Sequence, residues 1–250
     1  MAERSTKPLI VAIDGPAGAG KSTVARALAQ RFGLLNLESG AMYRAVALKA
    51  LQTGVSTTDA AALEALAHAT QVRLESNSES GDIGNRVLGN RVLLDGVDVT
   101  EQLRTPQITA AASEVSVHPP IRRWLVGLQQ ALGAEGNVVM EGRDIGTVVF
   151  PHAPVKIFLD ASPEKRGERR YEQTRTGSQG NPQTGGAAVA TELPATVLEA
   201  IRERDRRDRT RKDSPLRPAP DATIIDSTDL SLEQVIERAA ELVERYLACE

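Results

Sequence analysis

The sequence predicts an α/β fold, in which a five-stranded parallel sheet carries helices on both faces, a small antiparallel insert and a helical lid. Two observations support this prediction. Short, mainly apolar runs suit parallel strands, because both faces of such strands are buried, and the first of these runs, 9–13, is unbroken. Between most of these runs, apolar residues recur at helical spacing, so strands and helices alternate. The predicted strands are 9–13, 34–37, 137–140, 155–159 and 222–225.

A glycine-rich motif joins the first predicted strand to the first helix. Residues 15–22 fit G-x-x-x-x-G-K-[ST] without a mismatch, in the required order of strand, loop and helix. Glycines let the backbone approach a phosphate, and the loop N–H groups form an anion site with the helix N-terminus. We therefore expect Lys21 to reach the β- and γ-phosphates of a nucleotide and the Ser22 hydroxyl to bind Mg²⁺. The nucleotide-binding residues would be Gly15, Pro16, Ala17, Gly18, Ala19, Gly20, Lys21, Ser22 and Thr23.

Composition narrows the classes of function. The net charge is -3 and aromatic residues are only 3% of the chain, which argues against a nucleic-acid partner. No apolar run approaches the roughly 20 residues of a membrane span, so no membrane partner is expected. Cys249 is the only cysteine, which excludes an intrachain disulfide and fits a reducing compartment. We expect a cytoplasmic enzyme.

Polar side chains follow the second predicted strand. Ser39 is predicted to cap the next helix, which also carries Tyr43 and Arg44 in its first turns. In a parallel sheet, the C-terminal ends of the strands face the ligand crevice. Arg44 is therefore expected to bind a phosphate rather than to lie in solvent.

The third predicted strand ends in Glu141-Gly142-Arg143-Asp144. Two acids and an arginine at a buried strand end are costly without partners, which favours a ligand site. A surface ion pair between Arg143 and Asp144 is the alternative.

The segment 72–99, between the second and third strands, predicts a small antiparallel insert. Apolar and polar residues alternate at both of its ends, and Asp95-Gly96 is typical of a tight turn. The stretch 76–84 is expected to be an exposed loop. Further on, Ser113 and Arg122 lie on either side of the helix break at Pro119-Pro120, and the residues alone leave open whether they face a ligand.

Two arginine-bearing helices are predicted after the fourth strand. The first begins at Pro163 and carries Arg166, Arg169 and Arg170 on one side. The turn-rich stretch 176–194 predicts a flexible loop between the two helices.

The second basic helix, 196–212, changes from apolar to charged along one stripe. Together the two helices predict a lid that closes over phosphates. A salt-bridged helix hairpin, with pairs such as Asp205–Arg209, is one alternative, and nucleic-acid binding is another. The stripe, spaced 4, 3, 4, 3, consists of Val197, Ile201, Arg204, Asp208 and Arg211.

These features together favour phosphoryl transfer to a small molecule. The chain lacks the N-K-x-D motif that a P-loop GTPase needs, and it is shorter than most mechanical or DNA-dependent ATPases. Four of its segments resemble the bacterial cytidylate kinase family: GPAGAGKST, ESGAMYR, EGRDIGTVVFPHAPVKIFLDAS and ERDRRDRTRKD. The resemblance runs from about Ile10 to the last helix. Adenylate kinases resemble this branch at the P-loop but lack the ESGAMYR and EGRDIGT blocks.

The resemblance implies that a cytoplasmic monomer transfers the γ-phosphoryl group of ATP, with Mg²⁺, to the small-molecule substrate CMP or dCMP. It implies a single kinase domain, 1–250, with a core (8–37, 137–162 and 215–250), a monophosphate-binding insert (about 38–123) and a lid (about 163–212). Two other functions stay open. One is another small P-loop kinase, acting on UMP or a metabolite, and the other is a nucleotide-dependent binding protein without monophosphate turnover.

The resemblance also implies a role for each matching residue. Glu141 stands where the family usually has Asp, and the stretch 177–190 is longer than in the family. The implied cytosine-reading residues are Ser113, Arg122 and Asp144; the acceptor-phosphate residues are Arg44 and Arg143, with Ser39 and Tyr43 lining the same pocket; the ribose contacts are Arg204 and Asp208; and the catalytic cations are Lys21, Arg143, Arg204 and Arg211, the last joining the lid cluster on the transferring phosphate.

Overall fold

The computed structural model describes residues 9–76, 90–134, 136–177 and 194–249. Its main sheet has five strands, all parallel, as predicted. The spatial order is β2-β6-β1-β7-β8, with β1 at the centre. These strands are β1 (Ile10–Asp14), β2 (Leu35–Glu38), β6 (Val138–Gly142), β7 (Val155–Asp160) and β8 (Thr223–Asp226).

Helices cover both faces of the sheet. On one face, Val11 and Ile13 pack with α1 (Lys21–Phe32) and α8 (Leu232–Ala248), which begins with a capping box between Ser231 and Gln234. On the other face, Ala12 and Met140 pack against Ile145, with α5 (Pro119–Gly133) outside them. Adjacent residues of β1 thus enter different cores, which explains why its apolar run is continuous rather than alternating.

The chain between β2 and β6 forms a second packed unit beside the sheet. Its three-stranded antiparallel sheet, order β3-β4-β5, confirms the predicted insert, with the Asp95-Gly96 turn between β4 and β5. Of the predicted exposed loop 76–84, residues 77–84 lie outside the described residues. The elements are α2 (Ser39–Thr53), α3 (Ala60–His68), β3 (Val72–Ser76), β4 (Asn90–Leu94), β5 (Val97–Asp98) and α4 (Pro106–Val115).

Two helices between β7 and β8 pack against each other: α6 (Pro163–Gly177) and α7 (Pro194–Thr210). The Ser162 hydroxyl accepts a hydrogen bond from the Lys165 N–H at 3.2 Å and caps the start of α6. Of the predicted loop 176–194, residues 178–193 lie outside the described residues. Among the helices that the structure describes, none is long and apolar enough to cross a membrane.

The predicted capping role of Ser39 is wrong. Glu38 occupies the N-cap position of α2, and Ser39 is already the first helical residue. The Ser39 hydroxyl instead donates to the Glu141 carbonyl oxygen, 2.7 Å away at the end of β6. The helix thus begins one residue earlier than predicted, and the Ser39 hydroxyl connects it to the end of β6.

Candidate active site

The glycine loop between β1 and α1 lies directly against β7. Gly15, Gly18 and Gly20 have positive φ angles of 149°, 79° and 100°, which side chains other than glycine rarely adopt. A Cβ atom on Gly15 would lie 2.0 Å from the Leu159 carbonyl oxygen. The loop therefore needs glycine both for its backbone angles and for this contact.

Lys21 lies inside this loop rather than in solvent. Its Nζ donates a hydrogen bond to the Pro16 carbonyl oxygen at 2.7 Å, and the residue is 6% exposed. Burial, together with the positive charges of Arg143 and Arg204, lowers the pKa of Lys21 to about 7. The charged form of a lysine surrounded by cations in this way is stabilised when an anion binds beside it.

A buried carboxylate faces the start of α1. Burial raises the pKa of Glu141, Glu38 adds to this effect, and Lys21 and the Ser22 side chain, a hydrogen-bond partner, oppose it. The Oε1 atom of Glu141 has no hydrogen-bond partner among the described residues. An oxygen of this kind is suited to a cation or to the water that a cation carries.

Three arginines from different elements converge in front of the loop. Arg143 Nε, after β6, donates to Asp208 Oδ2 of α7 at 2.8 Å. Burial lowers the pKa of Arg204 to about 10, and Arg143 and Arg44 also lower it. The buried Nε atoms of Arg44 and Arg204 make no hydrogen bond within the described part of the chain. Repelling cations with unused donors are the features of an anion site.

The Arg44 side chain is held from the end of β2. Its Nη2 donates to the Glu38 carboxylate, which orients the guanidinium. Ser39, which directly follows Glu38 in the chain, lies against the end of β6, because a Cβ on Gly142 would approach the Ser39 Oγ to 2.6 Å. The predicted residues Ser39 and Arg44 therefore lie where β2 and β6 end side by side.

A second group of polar side chains lies between the insert and the end of β6. Arg122 Nη2 donates to Asp144, and Nη1 donates to the Ser116 carbonyl oxygen at 3.2 Å. The Arg122 guanidinium also lies 5.9 Å from the centre of the Tyr43 ring, within cation–π range. Burial raises the pKa of Tyr43 to about 12, so its hydroxyl stays protonated at neutral pH. Ser113 is buried on α4.

Arg211 connects the two groups. Its Nε donates to the Ser214 carbonyl oxygen at 2.7 Å, and its Nη1 lies 4.0 Å from Asp208 Oδ1. Burial lowers the pKa of Arg211, and Arg122 lowers it further, while Asp144 raises it. The structure thus brings Arg211 near Arg122 and Asp144 as well as near Asp208.

Two ion pairs that the sequence offered only as alternatives to a ligand site are not formed. Arg143 and Asp144 do not pair with each other, since Arg143 bonds Asp208 and Asp144 bonds Arg122. Asp205 and Arg209 do not pair either, because Asp205 binds Arg166, whereas Arg209 lies 3.7 Å from the Asp160 carboxylate. The two helices are nevertheless salt-bridged, as the hairpin alternative required, by Arg166–Asp205 and Arg202–Glu164.

Two of the three predicted arginines of α6, Arg166 and Arg169, face the protein, whereas Arg170 is exposed. Arg166 is buried against the glycine loop, and Arg169 donates to the Ser227 hydroxyl at 3.1 Å and to its carbonyl oxygen at 2.7 Å. On α7, Val197 and Ile201 are buried, and Arg204 and Asp208 follow them into the site. The predicted stripe of α7 is therefore confirmed.

Asp14, at the end of β1, supports the site, but sequence reasoning did not assign it a role. The one signal in the sequence is weak: Asp14 is an acidic residue directly after an apolar run. Its carboxylate accepts the backbone N–H groups of Ile145 at 2.8 Å and Gly146 at 2.7 Å. Burial raises the pKa of Asp14 to about 6, although these two hydrogen bonds lower it. Asp14 thereby fixes the turn that follows Arg143 and Asp144.

Comparison with known proteins gives consistent matches over nearly the whole chain. The model of the cytidylate kinase family matches residues 11–245. The chain is 46% identical over 243 residues to a cytidylate kinase of Solibacter usitatus, covering 97% of this chain and 95% of that protein. It is 48% identical over 227 residues to a cytidylate kinase of Pelotomaculum thermopropionicum, with 91% and 92% covered. A Pasteurella multocida cytidylate kinase is 42% identical over 240 residues, with 96% of each chain covered.

Proposed function

This chain belongs to the cytidylate kinase family, and we propose that it transfers the γ-phosphoryl group of ATP to CMP, and to dCMP. One observation carries the proposal. Lys21, Arg143 and Arg204 converge beside the glycine loop and repel one another, so that they need an anion between them. The buried Arg122–Asp144 pair lies next to this cluster and offers a donor and an acceptor to a base.

The donor ATP would bind on the glycine loop. Residues 15–23 cradle its phosphates with backbone N–H groups, and Lys21 moves from the Pro16 carbonyl oxygen to the β- and γ-phosphates. Ser22 would hold Mg²⁺, and the unpaired Oε1 of Glu141 fits a water of its coordination shell. When bound, the ion neutralises charge on the transferring phosphate.

The acceptor CMP would bind between α2, α5 and α7. Its phosphate would contact Arg44 and Arg143, with Ser39 and Tyr43 beside it, and its ribose would contact Arg204 and Asp208. Its cytosine would meet Asp144 through the N4 amino donor and Arg122 through the N3 and O2 acceptors, with Ser113 nearby.

Catalysis would come from positioning and charge neutralisation. No covalent intermediate is needed, because the acceptor phosphate is itself the nucleophile. Its second pKa is about 6, so it is ionised near neutral pH without a dedicated general base. Lys21, Arg143, Arg204 and Arg211 would stabilise the charge that develops on the transferring group.

This function rests on a single kinase domain. We assign a core (8–37, 137–162 and 215–250), a monophosphate-binding insert (about 38–123) and a lid (about 163–212) to a cytoplasmic monomer that uses no nucleic-acid or membrane partner. Size-exclusion chromatography with light scattering tests the monomer.

A panel of acceptors tests the proposed function. The purified protein with ATP and Mg²⁺ is offered CMP, dCMP, UMP, AMP, GMP and shikimate, and ADP formation is measured with a coupled assay. CMP and dCMP should be turned over far faster than the others. Preference for UMP or for shikimate would support another small P-loop kinase, and ATP binding without turnover of any acceptor would support a nucleotide-dependent binding protein.

A further inference from the structure

One guanidinium, that of Arg166, connects three parts of the molecule. The residue is 1% exposed. Its Nε donates to the Ala161 carbonyl oxygen, before α6, at 2.9 Å, and its Nη1 donates to the Ala17 carbonyl oxygen of the glycine loop at 3.0 Å. Its Nη1 also donates to Asp205 Oδ1 at 3.0 Å, and its Nη2 donates to Asp205 Oδ2. The Arg166 guanidinium thus binds the Asp205 carboxylate of α7 in a bidentate manner.

The glycine loop is in close contact with α6 at this residue. A Cβ atom on Gly18 would lie 3.3 Å from the Cβ of Arg166, and Gly18 has a φ of 79°. Loop backbone, α6 and α7 therefore meet around one buried side chain.

The partner Asp205 lies next to the site residues of α7. It directly follows Arg204 and lies three residues before Asp208. Because a helix moves as a rigid unit, the position of Asp205 determines where Arg204 and Asp208 lie.

The positively charged side chains near the glycine loop repel one another, so a separate contact is needed to hold α7 close to that loop. The charges of Arg143 and Arg204 lower the pKa of Lys21, and the charge of Arg143 lowers the pKa of Arg204. Among the described α7 carboxylates, Asp208 bonds Arg143. With no anion bound, this repulsion opposes a close approach of Arg204 to Lys21. The Arg166–Asp205 pair connects α7 to the glycine loop, because Arg166 also donates to the Ala17 carbonyl oxygen.

We propose that Arg166 and Asp205 are positioning residues, which hold α7 to the glycine loop so that Arg204 stays aligned with the phosphate transferred from ATP. The inference rests on the proposed function and adds to it. In the proposed function the two nucleotides bind to separate surfaces, ATP to the loop and the base and phosphate of CMP to α2, α5 and the end of β6, so that only the ribose depends on α7. Loss of the pair should therefore affect alignment more than binding.

Asp205→Asn tests the inference, because it removes the charge and one acceptor but keeps the shape. Steady-state kinetics are measured with varied ATP and varied CMP, well below the melting temperature of each variant. We expect kcat to fall by about 10- to 100-fold, since a displacement of 1 Å can cost about 10²-fold, while KM for each nucleotide stays within about threefold. Glu164→Gln is the matched control, since it breaks the exposed 2.7 Å pair with Arg202 between the same helices. It should leave kcat within about twofold of the wild type.

A conservative variant keeps the inference testable if Asp205→Asn does not fold. Asp205→Glu retains the charge but has a longer side chain, so its kcat should fall between those of the wild type and Asp205→Asn with both KM values unchanged. A wild-type kcat in Asp205→Asn, or in Asp205→Glu where the Asn variant is unfolded, would overturn the inference. So would a rise in KM for ATP at constant kcat, which would indicate that Arg166 acts on ATP directly. If the wild type turned over no monophosphate, the proposed function would fail instead.

Discussion

Arg122 donates a hydrogen bond to the Asp144 carboxylate from across the acceptor side of the site, and the two side chains are only 5% and 9% exposed. We propose that this pair discriminates cytosine from uracil. Cytosine offers a donor at N4 and acceptors at N3 and O2, whereas uracil has an acceptor at O4 and a donor at N3. In the same pose, UMP would set O4 against Asp144 and leave Arg122 poorly paired. Two such mismatches cost about 1–3 kcal/mol each, so CMP should be preferred by about 10²- to 10⁴-fold in kcat/KM.

The first prediction is that Asp144→Asn narrows this preference. The amide keeps the shape but donates as well as accepts, so activity on CMP should fall much more than activity on UMP. The measurement is kcat/KM for both acceptors in wild type and variant. Asp208→Asn is the control, since Asp208 bonds Arg143 and should lower both activities while keeping their ratio. An unchanged CMP:UMP ratio in Asp144→Asn would show that Asp144 does not read the base.

The second prediction is that Lys21→Met removes activity without unfolding the protein. Loss of the positive charge of Lys21 beside the transferring phosphate should lower kcat at least about a hundredfold. This corresponds to a loss of about 3 kcal/mol of transition-state stabilisation. The fold should survive, because removal of Lys21 also relieves repulsion by Arg143 and Arg204.

Lys156→Met is the matched control for Lys21→Met. Lys156 is a second buried lysine, but its Nζ is paired with Asp221 at 2.7 Å, outside the proposed site. The kcat of Lys156→Met should stay within about threefold of the wild-type value. Wild-type kcat in a folded Lys21→Met protein would contradict the role of Lys21 in phosphate binding.

The third prediction concerns stability against pH without nucleotide. The pKa of Lys21 in the folded protein, about 7, lies below its ordinary value of 10.5. Between these values the unfolded chain binds more protons, so the contribution of Lys21 to the free energy of unfolding should rise with pH from 7 towards 10.5. The slope approaches about 1.4 kcal/mol per pH unit. Urea unfolding of wild type and Lys21→Met at several pH values measures the difference, and parallel curves would contradict the lowered pKa.

Asp14 should act in the opposite direction at lower pH. Its folded pKa of about 6 lies above the ordinary value of 3.8. The folded protein therefore holds the extra proton between these values, and the contribution of Asp14 to stability falls as the pH rises from about 4 to about 6. Because this window ends below pH 7, the two effects are separable in one pH series.

Local sequence patterns predicted much of the fold and part of the site. Five mainly apolar runs predicted the parallel sheet, and the unbroken run of β1 reflects its burial on both faces, whereas the edge strand β8 is mostly exposed. The glycine motif required its own strand, loop and helix. The stripe that brings Arg204 and Asp208 inward followed from helical spacing, with buried Val197 and Ile201 on the same face.

Partners that meet only in the folded chain were not predictable in this way. Arg122 and Asp144 come from α5 and from the end of β6, and their pairing depends on how the insert packs against the sheet. Asp205 faces Arg166 for the same reason, although Arg209 lies one turn away on its own helix. Ser39 has an N-cap sequence, but the helix begins at Ser39 itself, and its hydroxyl donates to the Glu141 carbonyl oxygen of a neighbouring strand, which local sequence does not reveal.

The fourth prediction is that Gly142→Ala disturbs the acceptor side of the site selectively. A Cβ at this position would lie 2.6 Å from Ser39 Oγ and 2.7 Å from Ile145 Cδ1, so one of these side chains must move. Overpacking of this kind costs about 1–3 kcal/mol of stability. Because Arg143 and Asp144 follow directly, KM for CMP should rise by about tenfold, equivalent to ~1.4 kcal/mol, with KM for ATP unchanged.

Gly127→Ala provides the control for Gly142→Ala. Gly127 lies within α5, and a Cβ there would meet nothing within 4 Å. The substitution should raise the free energy of unfolding by about 0.5–1 kcal/mol, because alanine loses less backbone entropy than glycine in a helix, and both KM values should stay at wild type. Thermal unfolding and steady-state kinetics of the two variants measure the contrast. Equal KM for CMP in Gly142→Ala and wild type would show that the end of β6 does not position the acceptor.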